Sequence, residues 1–157
     1  MRLDDSRTLL ALAWPSFVCV HDCIFLASEV RGDETLNMAM FQDLTGAEAS
    51  VNHVHILDHF DHGASLPVEP FCDSQHPDFR AACEISKTIA KLWAAKLKAE
   101  FSDRSFRIYF SESDNPIIRF HTVRANEPPW ASEHHWRQQI LNGTMLIWQV
   151  STSESNV

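Results

Sequence analysis

The segment from Pro77 to Phe101, PDFRAACEISKTIAKLWAAKLKAEF, constrains the fold of this chain more than any other stretch. Proline suits the first position of a helix, where its missing N–H is no loss. From there Phe79, Cys83, Ala90, Trp93, Leu97 and Phe101 share one face, with Ile85, Ile89 and Leu92 beside it, while Glu84, Lys87, Lys91 and Lys98 line the opposite face. An apolar arc that broad is suited to lying flat on a sheet.

The sheet is legible on both sides of this helix. FRIYFSE and IIRFHTV flank SDNP, a strong turn signal. An odd-numbered loop sets Phe110 opposite Ile118, Tyr109 opposite Arg119 and Arg107 opposite His121. TMLIWQVS reads as a last strand with Leu146, Trp148 and Val150 inward, after a short helix in SEHHWRQQILNG closed by Gly143. Near the N-terminus, Asp4 or Asp5 can cap a helix that Pro15 stops, and FVCV and CIFLASEV form a buried hairpin around His21-Asp22. Leu36, Met38 and Met40 alternate weakly and suggest a further strand. The sum is an α+β fold, an antiparallel-rich sheet of about five to six strands with two main helices packed on one face. Residues 1–150 read as a single domain and 151–157 as a flexible polar tail.

Composition then narrows the function. The chain has 157 residues, with 13 basic against 21 acidic side chains and a net charge of −8. That charge argues against nucleic-acid binding, which depends on neutralising phosphates. The longest apolar stretch, Leu9 to Val20, is broken by Pro15 and too short to span a bilayer. With no secretory signal before it, a cytoplasmic protein is expected, with Cys19, Cys23, Cys72 and Cys83 reduced and packed as small hydrophobes. No GxGxxG, P-loop or GxSxG occurs, and Cys72 with His76 carries no nucleophile signature, so the motifs point away from an enzyme.

Two candidate sites remain. Residues 53–62 read HVHILDHFDH. The stretch resembles the HxHxDH signature of metallo-β-lactamase-type hydrolases, with one residue too many between the second His and the Asp. That insertion rotates Asp58 and His59 away from the signature's ligand positions. The upstream Thr45-Gly46-Ala47-Glu48 instead reads as a capping box that opens a helix. On a helix, Glu48, Asn52, His55, His59 and His62 share one arc, and His53 falls among apolar residues as a core histidine. His55 and His59 have the i, i+4 spacing of HExxH zinc enzymes, but Ile56 stands where the general base would be. A divalent-metal reading follows, zinc or another transition metal on His55, His59, His62 and Glu48, with His134 or His135 as a further ligand. The plain alternative is a solvated polar stripe that holds no cofactor.

The second site is the outer face of the hairpin, which carries Arg107, Tyr109, Arg119 and His121, with Trp130 nearby after two prolines. Arg and Tyr are enriched at binding hot spots, and Arg suits carboxylates and phosphates. The bland alternative is a solvated sheet face. As a class, acidic α+β chains without catalytic motifs resemble small bacterial binding proteins, immunity proteins among them. The expected function is a non-enzymatic protein-binding module, immunity- or adaptor-like, whose partner presents an acidic patch to the Arg/Tyr face. The alternative is a metal-binding protein or metal-dependent hydrolase, and a third reading is a small anion held on the same basic face.

Overall fold

A computed structural model describes residues 3–30, 40–60 and 73–152. The expected strand around Leu36 and Met38, the loop segment from 63 to 72, Cys72, His62 and tail residues 153–157 lie outside the described residues. The fold is α+β. Helix α1 (Leu3–Ala13) leads into strands β1 (Phe17–Val20) and β2 (Cys23–Leu26). Helix α2 (Leu44–Val51), strand β3 (His53–His55) and a 3-10 turn (Ile56–His59) follow. Then come α3 (Pro77–Glu100), β4 (Phe106–Ser111), β5 (Ile117–Thr122), α4 (Arg137–Leu141) and β6 (Met145–Val150). The strands form two antiparallel sheets, β1-β2 and β3-β5-β4-β6. Among the described residues, no helix is long and apolar enough to cross a membrane.

The main sheet has the register that the sequence dictates. Phe110 pairs with Ile118, Tyr109 with Arg119, and Arg107 with His121. Strand β6 adds to the far side of β4, with Ile147 beside Tyr109 and Gln149 beside Arg107. One face therefore carries Phe106, Ile108, Phe110, Ile118, Phe120 and Val150, all buried in one cluster with Phe79, Ile89, Trp93 and Leu97 of α3. Pro77 begins α3, and His76 caps it by accepting the amide of Asp78. Trp93 packs edge-on to Phe120, and its Nε1–H donates to the carbonyl of Leu12 (2.8 Å), which ties α1 to α3. Gly143, at φ 74°, ends α4 in the left-handed conformation that glycine tolerates.

Two expectations about helix starts are corrected. Helix α1 begins at Leu3, so neither Asp4 nor Asp5 is its cap. Helix α2 begins at Leu44 with Asp43 as its N-cap, the carboxylate accepting the amide of Gly46 (2.6 Å). The capping box centred on Thr45 does not form, because Glu127 of a distant loop takes the Thr45 amide (2.7 Å) and Glu48 turns inward.

The β1-β2 hairpin closes through His21 and Asp22, at φ 50° and 65°, with Val20 paired to Cys23. Two positive φ values in a two-residue loop are those of a type I′ turn, which glycine and asparagine favour. Asp22 is fixed there: Arg104 donates to its carboxylate (2.7 Å) and its carbonyl (2.9 Å). His21 is exposed and strained. His21→Asn should therefore raise the unfolding free energy by about 0.5–1 kcal/mol, read by urea denaturation. A loss of stability would mean that His21 makes a contact worth more than its backbone strain.

Candidate functional site

Glu48 on α2 and Asn52, the residue that caps its C-terminus, lie one helical turn apart and do share a face, but that face is buried. Both are 0% exposed. The Glu48 carboxylate accepts the amides of Ile24 (2.6 Å) and Thr122 (2.6 Å), the Thr122 hydroxyl (2.8 Å) and Nη1 of Arg124 (2.9 Å). Asn52 accepts the amide of Leu26 (2.9 Å) and donates to the carbonyl of Ile24 (2.7 Å). Its own carbonyl accepts the Phe120 amide (3.3 Å). Two side chains thus fill the gap between the edge of β2 and the free part of β5, joining the two sheets without a strand between them. Burial works against the charge on Arg124, but the Glu48 hydrogen bond and charge outweigh it and raise its pKa above the usual value.

The metal arrangement expected on a helix is accordingly corrected. The histidines are not on one helix: His53 and His55 are in β3, and His59 ends the 3-10 turn. Glu48 faces the core, away from a solvent stripe, and its carboxylate is already satisfied. His62 lies outside the described residues. Among the described residues no group of three or more His, Cys, Asp or Glu is placed to hold a metal ion, and His134 and His135 are exposed. His53 is half-buried rather than in the core, with Nδ1 2.6 Å from the carbonyl of Ser50. Period two puts His53 and His55 on the same side of β3, with ring centroids 5.3 Å apart.

The second site is assembled, but not as an open face. The segment after β5 folds back over it. Tyr109 and His121 are each 1% exposed, and Tyr109 packs with Ala131, Met145, Trp136, Ile140 and Ile147 in a second apolar cluster. The His121 Nδ1 is 2.8 Å from the Thr122 carbonyl, which makes Nδ1 the protonated nitrogen. Nε2 then accepts the Tyr109 hydroxyl (2.9 Å) and the Trp130 amide (3.4 Å). Burial lowers the His121 pKa and raises that of Tyr109. Arg107 is half-buried, and its Nη1 lies 3.5 Å from the Glu133 carboxylate. Tyr109 and His121 therefore hold the covering segment in place, and a partner cannot reach them directly.

What the covering segment leaves accessible is a rim. Trp130 is 37% exposed and stands edge-on to Tyr109. The guanidinium of Arg119 lies 4.1 Å from the centre of the Trp130 ring, in cation–π contact. Arg119 is half-buried, donates through Nη1 to the carbonyl of Ala49 (2.7 Å) near the end of α2, and pairs across the ladder with His53. Burial pulls its pKa down to about 10. Arg104, Arg107 and Arg124 each meet a carboxylate, whereas Arg119 meets none among the described residues. Beside the rim, a cavity of about 190 Å³ is lined by Thr45, Arg107, His121, Arg124 and Glu127. That is below the usual size of a small-molecule site. The sequence reading missed Glu127 and Arg124, which carry no local signal because their partners lie far away in the chain, and it did not connect His53 with Arg119. That last link was within reach, because a strand at 53–55 places His53 on a half-exposed face.

Two outcomes test this description. Glu48→Gln leaves the Arg124 charge half-buried without its partner and turns a donor toward backbone amides, so unfolding in urea should cost about 3–5 kcal/mol less than in the wild type. A loss below about 1 kcal/mol would remove Glu48 from its place between the sheets. For His121, the folded pKa lies below the unfolded value of about 6.5, so the unfolded chain takes up the proton first as pH falls. Its contribution is complete above that value and is lost as pH drops from there toward the folded pKa. His121→Gln should flatten the stability profile below about pH 6.5 by up to about 1.4 kcal/mol per pH unit. Parallel profiles would exclude a buried neutral imidazole.

Comparison with known proteins places these features in one family. No curated protein matches the chain, and no solved structure matches it. A family match covers residues 2–145, and so includes α2, the hairpin, the covering segment and Trp130. The chain belongs to the Uncharacterized protein PM0498 family.

Proposed function

We propose that the protein is a non-enzymatic binding module that receives a carboxylate-bearing segment of another protein on Arg119 and Trp130. The observation that carries this reading is the unmatched guanidinium. Arg119 is half-buried, sits over an exposed indole and, among the described residues, has no carboxylate partner. Desolvating an arginine without an anion costs stability, and an incoming carboxylate in bidentate geometry offsets that cost. Trp130 supplies the aromatic surface common at binding hot spots, and the buried Tyr109–His121 pair fixes its position. His55 borders the same rim on the face that carries His53 and can add a donor for acidic groups, whereas the Nδ1 of His53 is already taken by the Ser50 carbonyl.

Two further features support a binding role over catalysis. Burial raises the Cys23 and Cys83 thiols to about 12, so neither is a ready nucleophile. The acidic excess disfavours a phosphate backbone as the partner. That same net charge of −8 repels an acidic partner at long range, so affinity must come from the local contact, not from electrostatic steering.

The test compares the proteins captured from cells of the source by wild-type chain, Arg119→Glu and Trp130→Ala. A partner should appear with the wild type and weaken at least about tenfold with either variant, at a temperature where the melting curves of both variants show them folded. Partners captured equally by all three, or by none, would refute the Arg119–Trp130 surface.

A further inference from the structure

We infer that β6 is a self-pairing edge: two copies of this chain join antiparallel along Met145–Val150, around a twofold axis at Ile147, to make one continuous sheet. This surface lies at the opposite end of the sheet from β3 and does not depend on the role of Arg119.

Strand β6 ends the order β3-β5-β4-β6, and among the described residues its outer edge has no backbone partner. Edges elsewhere in the two sheets are managed. Strand β3 is only three residues long, and Glu48 and Asn52 cap the free amides of β2 and β5. Strand β6 has none of the usual protections. It runs six residues in unbroken register with β4, and Met-Leu-Ile-Trp-Gln-Val contains no proline, lysine or other charge. In a chain of net charge −8, an uncharged strand is where two copies can meet without like charges facing across the seam.

The direction of the free groups follows from the ladder. Glu112 donates to the carbonyl of Thr144 (2.7 Å) in the same register that pairs Phe110 with Leu146. Antiparallel ladders alternate, so Leu146, Trp148 and Val150 bond toward β4, and the N–H and C=O groups of Met145, Ile147 and Gln149 point outward. A twofold axis at Ile147 sets it against itself and Met145 against Gln149 of the second copy. Every outward donor then finds a carbonyl. The same register brings Leu146 opposite Trp148 of the second copy on the core face. Both side chains pack on the main cluster yet remain half-exposed, so the second copy covers the apolar surface that α3 leaves open. Strand addition of this kind draws its affinity from main-chain bonds and its selectivity from such alternate side chains.

Sedimentation of the wild type across about 1–200 µM tests the seam, because dimerisation is governed by mass action. The mass should rise toward twice the 17.9 kDa of one chain. Gln149→Pro removes an outward N–H without breaking a bond to β4, and Ile147→Lys sets two like charges against each other at the axis. Each should raise the dissociation constant at least about tenfold. Gln149, exposed and outside both apolar clusters, should leave the melting temperature of the dilute protein unchanged, whereas Ile147 packs beside Tyr109 and its variant is read by the association of the folded protein alone. Amide exchange at Ile147 and Gln149 in the wild type should slow as concentration rises, a readout that needs no variant. A wild type that stays monomeric throughout would overturn the inference. So would a dimer that survives both substitutions, or one that Arg119→Glu dissolves instead.

Discussion

The structure depends on a carboxylate that has no water to fall back on. Glu48 is fully buried, and every lone pair it offers is directed to a group that would otherwise be unsatisfied: two strand amides, a hydroxyl and a guanidinium. A buried charge of this kind is tolerated only when paired and hydrogen-bonded, and removing either partner is far more damaging than the net worth of the pair. With Asn52 one turn later, it lets α2 stand where a strand would otherwise be needed. The β1-β2 hairpin and the main sheet are joined through these two side chains.

That junction also fixes the surface on which function is proposed. The C-terminal end of α2 presents the Ala49 carbonyl to Arg119, and Glu127 reaches back from the covering segment to the amides at the start of α2. Burial favours the neutral Glu127 carboxyl, but hydrogen bonding from Thr45, through its amide, prevails and holds the pKa below the ordinary value. The segment that carries Trp130 is therefore held at two places, by Glu127 on α2 and by the Trp130 amide on His121. Arg119 and Trp130 meet because both are positioned by groups that are themselves buried.

The β4–β5 register, the inward face of β6, α3 from its first proline and Gly143 after α4 were all legible in the sequence, because period, turn residues and caps are local signals. The histidine stretch was not. Reading it as a helix gave Glu48 and Asn52 their correct common face but assigned that face to solvent. The helix stops at Val51 because Asn52 is taken up by β2 and because β5 captures Val54 as a neighbouring strand residue. Asn, His and Val are weak helix formers, so little propensity opposed that outcome. The outer face of the hairpin failed for a related reason. Alternation correctly placed Arg107, Tyr109, Arg119 and His121 together, but alternation is the same whether a loop covers the face or water does.

The sequence alone determined which residues share a strand face or a helix face, because those relations follow from backbone periods of two and 3.6. It determined the α+β class, since runs of strand pattern, helices and a hairpin follow one another along the chain without regular βαβ alternation. Only the tertiary structure decided which polar faces are dry. Whether Glu48 looks at water or at the Ile24 amide, and whether Tyr109 is a contact residue or a support beneath Trp130, depends on segments distant in the chain arriving at the same place. Burial and electrostatic pairing are properties of that arrival, and no local pattern encodes them.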